Sequence, residues 1–214
     1  MPALITRLGV PPEVQEFFNP FLRVDEEQNL LFNYGEDLEY YSRDFHLIPC
    51  SENLWIAGNP NFHLIREVFI CASAMEAIAW LSFNYHNYPH LENILFIATG
   101  TLLNKHQCIW IREHLKTKSF TLIFGKDLLG RIAALKVAAG IRCKPVELLF
   151  ISDEQIVVSF RARSHVFHPD KLDVRSMEKA VGYRFGIRTS APKEFDNFLN
   201  QLKSKNNHGN LRIR

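Results

Sequence analysis

Val68-Phe69-Ile70-Cys71, Ile94-Leu95-Phe96-Ile97-Ala98 and Phe120-Thr121-Leu122-Ile123-Phe124 are short, almost wholly apolar runs separated by segments with helical spacing. Runs of this kind predict strands buried on both faces of a parallel sheet, where neither side of the pleat meets water. After the first run, Ser73 at N-cap and Glu76 at N3 form a capping box ahead of Ile78, Leu81 and Phe83. After the second, Asn104 and Gln107 make another capping pair before Ile109, Trp110, Ile111 and Leu115. After the third, Asp127 caps a helix carrying Ile132, Leu135 and Ala139. Strands alternating with helices across residues 67–142 predict right-handed βαβ units and an α/β fold with a parallel sheet flanked by helices. Ligands of such sheets sit beyond the carboxyl ends of the strands, here Ala72-Ser73, Thr99-Gly100 and Gly125-Lys126-Asp127.

Upstream of this core, Pro11 and Pro12 open a short helix. Residues 29–33 and 39–42 predict a small β-meander turned at Tyr34-Gly35-Glu36-Asp37, and Leu54-Trp55-Ile56-Ala57-Gly58 a further strand. The expected organisation is a β-rich N-terminal appendage over 1–63, an α/β domain over 64–160 and a C-terminal extension over 161–214. Residues 146–151 predict the fourth strand of the sheet, with 155–160 turning back against it. In the extension, Phe195, Phe198, Leu199 and Leu202 fall at i, i+3, i+4 and i+7. That spacing predicts an amphipathic helix that packs on the core or on a protein partner. The tail from Lys203 holds Lys203, Lys205, Arg212 and Arg214 and no acid, which predicts disorder and contact with nucleic acid.

The 214 residues, 47% of them hydrophobic, suffice for one domain with additions. No apolar run approaches the roughly 20 residues of a membrane span. The N-terminus also lacks the continuous apolar segment of a secretory signal, so a cytoplasmic protein without membrane contact is expected. Cys50, Cys71, Cys108 and Cys143 form no CxxC pair, favouring reduced core thiols over disulfides or zinc. His165-Val166-Phe167-His168 has no acidic support, and Ser82 and Ser152 lack a nucleophile-elbow context. The net charge of +2 hides an asymmetry. Residues 1–57 hold ten acidic and three basic side chains, whereas residues 104–144 hold nine basic and two acidic. A basic block of this density is either a set of solvated helix faces or a footprint for phosphates.

The strand ends resemble those of Toprim domains, the catalytic modules of bacterial primases, topoisomerases and related nucleases. That family carries a Glu after its first strand, an acid four positions later, a Gly-Thr turn after the second strand, and Asp-x-Asp after the third. Here Ala98-Thr99-Gly100-Thr101 is similar to the second element, and Phe124-Gly125-Lys126-Asp127-Leu128-Leu129-Gly130-Arg131 to the third. Residues 30–43 resemble the β region preceding Toprim in primase-like proteins of mobile elements, and Lys193-Glu194-Phe195-Asp196-Asn197-Phe198-Leu199 resembles the segment that closes them. The likeness spans about residues 25–200. It implies a Toprim-like sheet and a role in DNA replication or plasmid mobilisation.

Two departures bear on chemistry. Ala72 stands at the family's catalytic Glu position and Gly125 at the first Asp of Asp-x-Asp, so only Glu76 and Asp127 remain of the acidic cluster. Mg²⁺ is held through carboxylates and substrate phosphates, and neither Ala nor Gly supplies a ligand or a proton carrier. The expectation is a degenerate active site without a resident metal, in a module that binds nucleic acid. Lys105, Lys126, Arg131 and the turn at Thr99 and Gly100 would hold its phosphates. Two other functions fit the same residues. One is a metal-dependent nucleotidyl transferase or nuclease that uses Glu76, Asp127 and Mg²⁺. The other is a protein-interaction module working through the acidic N-terminal part and the Phe195/Phe198 helix. Purely structural roles also fit: Glu76 closing its capping box, Asp127 contributing about 1 kcal/mol as an N-cap, and Arg131 reaching for an anion or for Asp127.

Overall fold

The computed structural model describes residues 2–209. Helices α1 (Ala3–Arg7) and α2 (Pro12–Phe18) open the chain, with Pro12 at the first helical position, where its missing N–H costs nothing. An antiparallel sheet follows, made of β1 (Arg23–Val24), β2 (Leu30–Tyr34), β3 (Asp37–Tyr41) and β4 (His46–Leu47) in that spatial order. The β2–β3 hairpin closes at the pair Tyr34 and Asp37, where Gly35 takes a φ of 68° that a two-residue turn requires.

The central sheet contains β5 (Trp55–Gly58), β6 (Glu67–Cys71), β7 (Ile94–Ala98), β8 (Ser119–Ile123) and, last in sequence, β12 (Arg188–Ser190). Its spatial order is β12-β8-β6-β7-β5; β12, β8, β6 and β7 run parallel and β5 is antiparallel to β7. Helices α3 (Ala74–Asn84), α4 (Lys105–Leu115) and α5 (Leu128–Ile141) connect the parallel strands. The fold is therefore mixed α/β, with a mixed sheet flanked by helices. The chain moves from β6 to β7 on one side and then back across β6 to β8, so the carboxyl ends of β6 and β8 bound a topological switch point.

The two faces of the sheet build two cores through the two-residue alternation of strands. Phe69, Cys71, Phe96 and Ala98 face one way, onto α2, α3 and the β2–β3 hairpin. Val68, Ile70, Leu95, Ile97 and Leu122 face the other, onto α4 and α5. Phe69 lies with its ring centroid 4.5 Å from Trp80 and 5.0 Å from Phe96, which couples α3 to the sheet. Full burial of such a side chain contributes about 1.5–3 kcal/mol.

Three expectations are corrected. The strand expected at residues 54–58 as part of the N-terminal appendage forms, over Trp55–Gly58, the edge of the central sheet against β7. Residues 146–151, expected as the fourth strand of that sheet, instead fall largely in β9 (Glu147–Ser152) of a separate antiparallel sheet with β10 (Gln155–Phe160) and β11 (Arg163–Phe167). The strand beside β8 is β12, reached after α6 (Val174–Val181). The last helix, α7 (Phe198–Gly209), continues through Lys203 and Lys205, where a disordered tail was expected. Their ammonium groups sit over the rings of Tyr41 and Phe83. Phe195 precedes this helix, and Phe198, Leu199 and Leu202 are buried in the core beside α3. Of the two places expected for this apolar face, the core and a protein partner, the chain uses the core. Arg212 and Arg214 lie outside the described residues. Among the described residues, no helix is long and apolar enough to cross a membrane.

Candidate functional site

At the switch point the chain places Ala72 and Ser73 after β6 and Gly125, Lys126 and Asp127 after β8. The helix caps form here largely as the sequence predicts. Ser73 accepts the Glu76 amide at 3.2 Å, Asn104 and Gln107 make a reciprocal box, and Asp127 accepts the Gly130 amide at 3.1 Å. Glu76 does not complete its box. Its two oxygens reach across to α7, accepting the Phe198 amide at 3.0 Å and the Leu199 amide at 3.1 Å. Burial raises this carboxyl to about 7, although the two amides pull it down.

A second buried carboxylate stands beside it. Glu39, in β3, is wholly inaccessible and accepts the Ala74 amide at 2.7 Å and the Met75 amide at 3.1 Å at the start of α3. The Tyr34 hydroxyl donates to it at 2.7 Å, and His46 lies 2.8 Å away. Two helix N-termini are thus each neutralised by a carboxylate from elsewhere in the chain, the favourable pole for an anion. The closeness to Glu39 helps push the phenol of Tyr34 well above its ordinary range, after the larger effect of burial.

The segment 193–199 covers the switch point. The Lys126 amide donates to the Asp196 carbonyl at 2.9 Å, and its ammonium to the Lys193 carbonyl at 3.3 Å. A Cβ on Gly125 would lie 2.7 Å from Asp127 Oδ1 and 2.9 Å from the Asp196 carbonyl oxygen, so this position has no room for a side chain as it stands. The Thr99 turn is equally occupied. The amides of Thr99, Gly100 and Thr101 donate to the carbonyls of Cys71, Ala72 and Pro49, leaving none of the three for a phosphate. Among the described residues, no group of three or more His, Cys, Asp or Glu side chains is arranged to hold a metal ion.

The basic candidates separate into two places. Lys126 and Arg131 line a cleft of about 300 Å³ beyond β8 and β12, together with Arg175, Asp173, Thr189 and Ser190. Arg131 does not bond Asp127; its guanidinium donates to the carbonyls of Pro169 and Asp170 at 2.8 and 3.3 Å. Its Nε is buried without a partner. Lys105 instead lies in a groove between α4 and α5 with Arg112 and Lys136, away from this cleft.

Sequence reasoning missed Glu39 and Arg175. Glu39 alternates with exposed Leu38 in β3, the reverse of the hydrophobic pattern, so no local signal marks it as buried. Arg175 stands two residues after the N-cap Asp173 on a short helix whose position only the fold defines.

No protein-family model matches the chain, and no curated protein matches it either.

Proposed function

We propose that this chain is a catalytically degenerate Toprim-like protein that binds nucleic-acid phosphates, an accessory factor related to the primases of mobile elements. The observation that carries this reading is the cleft beyond β8 and β12. Lys126, Arg131 and Arg175 converge there against one acid, Asp173, whose Oδ1 is engaged in capping α6 through the Ser176 amide at 2.6 Å. Thr189 and Ser190 add hydroxyls of the kind that bond phosphate oxygens.

The Toprim resemblance draws support from the order β8-β6-β7, with the two matching segments, after β7 and after β8, at one end of the sheet. Loss of catalysis is supported by Glu76, whose oxygens hold α7, and by Gly125, which abuts the Asp196 carbonyl. Binding through cations alone needs no divalent metal and weakens steeply with salt, because each neutralised phosphate releases counterions.

Titration of fluorescent single-stranded and duplex DNA, with and without Mg²⁺, at two salt concentrations tests this. Salt-sensitive, metal-independent binding that Lys126→Glu and Arg175→Glu each weaken is the expected result. Binding or cleavage that requires Mg²⁺ would favour the nucleotidyl transferase or nuclease reading instead. Absence of binding at low salt overturns both.

A further inference from the structure

A groove of about 500 Å³ lies between α4 and α5, apart from the cleft beyond β8 and β12. Two local features shape it. Gly140 lets α5 come close to α4, since a Cβ there would collide with Cys108 Sγ. After α5, Cys143 takes a φ of 52°, the left-handed conformation that ends helices. The Lys144 amide then donates to the Ala139 carbonyl at 2.9 Å, and the chain turns so that Pro145 and Val146 line the groove. The Arg112 guanidinium donates to Cys143 Sγ, which joins the α4 wall to the end of α5. Leu103 and Ile109, both half-buried, add apolar surface from the α4 side. Three cations, Lys105, Arg112 and Lys136, line the same groove, and no acid does. Among the described residues, Lys105 and Lys136 have no hydrogen-bond or ion-pair partner, and Arg112 pairs loosely with Glu113 at 3.9 Å.

We propose that this groove binds a small amphiphilic anion, an alkyl chain ended by a carboxylate or phosphate. The chain lies on Leu103, Ile109, Pro145 and Val146, and the head is held by Lys105, Arg112 and Lys136. Small-molecule sites are concave, roughly 300–1,000 Å³ in volume and mostly apolar, with a few polar groups that fix orientation. This groove has that size and that division of surface. Its charge selects the head group, because a guanidinium and two ammonium groups with no acid among them favour an anion through charge-assisted hydrogen bonds. None of the lining residues is aromatic, so the groove offers no ring on which a nucleic-acid base could stack. Lys105, expected to hold nucleic-acid phosphates, is thereby assigned to a different ligand at a different site.

Iodoacetamide alkylation of the full chain, mapped by mass spectrometry, tests this, because Cys143 is an exposed thiol in the groove and Cys50 an exposed thiol outside it. Decanoate or decyl phosphate, each below its micelle concentration, is expected to slow alkylation of Cys143 and leave Cys50 unchanged. Calorimetry is expected to give saturable binding of the same probe, weakened about tenfold by Lys105→Glu and by Lys136→Glu. Both lysines are exposed, so circular dichroism is expected to stay the same in the variants. The tighter of the two probes identifies the head group. Equal binding of decanol overturns the anionic head, and equal binding of acetate or inorganic phosphate overturns the apolar tail. Binding that neither lysine variant weakens places the site elsewhere and overturns the assignment. Protection of Cys143 by DNA and by neither amphiphile gives the groove to nucleic acid, and no protection by any probe overturns the proposal outright.

Discussion

The amide of Phe198 donates to Glu76 Oε2 at 3.0 Å across 122 residues of sequence. This bond and its neighbour from Leu199 fix the start of α7 over the end of the sheet. Glu76 sits in the first turn of α3, so a single carboxylate ties two helices together.

Glu76→Ala is therefore expected to destabilise the protein by about 3 kcal/mol, since two buried N–H groups lose their acceptor and each such loss costs roughly 1–3 kcal/mol. Chemical denaturation monitored by far-UV circular dichroism measures this. An unchanged midpoint would mean that the carboxylate does not hold α7.

The same group sets a pH dependence. Its folded pKa of about 7 lies above the model-compound value of 4.5, because burial disfavours the charged form. Between these values the folded state holds a proton that the unfolded state has released. The contribution of Glu76 to stability is thus greatest below 4.5 and is lost as pH rises towards 7. Glu76→Gln removes the titration, so the fall in melting temperature across that window is expected to flatten in the variant. Equal slopes in both proteins would assign the effect to other groups.

Glu39 offers a sharper contrast between charge and shape. Glu39→Ala leaves two helical amides and the Tyr34 hydroxyl without their acceptor in a site closed to water. A loss of about 3–5 kcal/mol is expected, the range for removing one member of a buried charged cluster. Glu39→Gln keeps one acceptor oxygen and is expected to lose less than half as much. Thermal unfolding of both variants at a pH above 7 compares them directly.

These carboxylates show where the sequence stops being informative. The parallel strands were legible because Val68, Ile70, Leu95 and Ile97 must be buried wherever they sit, and Ser73, Asn104 and Asp127 announce their helices through purely local bonds. Strand β12 was not legible. Arg188, Thr189 and Ser190 carry no hydrophobic pattern and become a strand only because β8 offers them an open edge. The apolar run in β9 misled for the opposite reason: its residues look like a core strand but remain exposed. The partner of Glu76 lies on α7 and that of Glu39 on α3, so both pairings depend on the tertiary fold rather than on spacing.

Gly125→Asp would reinstate one acid that the Toprim resemblance expects, and it separates a missing ligand from a remodelled site. Its Cβ would stand 2.7 Å from Asp127 Oδ1 and 2.9 Å from the Asp196 carbonyl, so the side chain or the segment 193–199 has to move. A loss of about 1–3 kcal/mol is expected, the usual cost of overpacking. Ala72→Glu combined with Gly125→Asp is expected to gain no saturable Mn²⁺ binding in calorimetry. Asp127 Oδ1 is held by the Gly130 amide and both oxygens of Glu76 by α7, so a metal would have to displace bonds that stabilise two helices. Saturable binding with stability unchanged would show that 193–199 swings aside at little cost, and would bring the metal-dependent reading forward over phosphate binding alone.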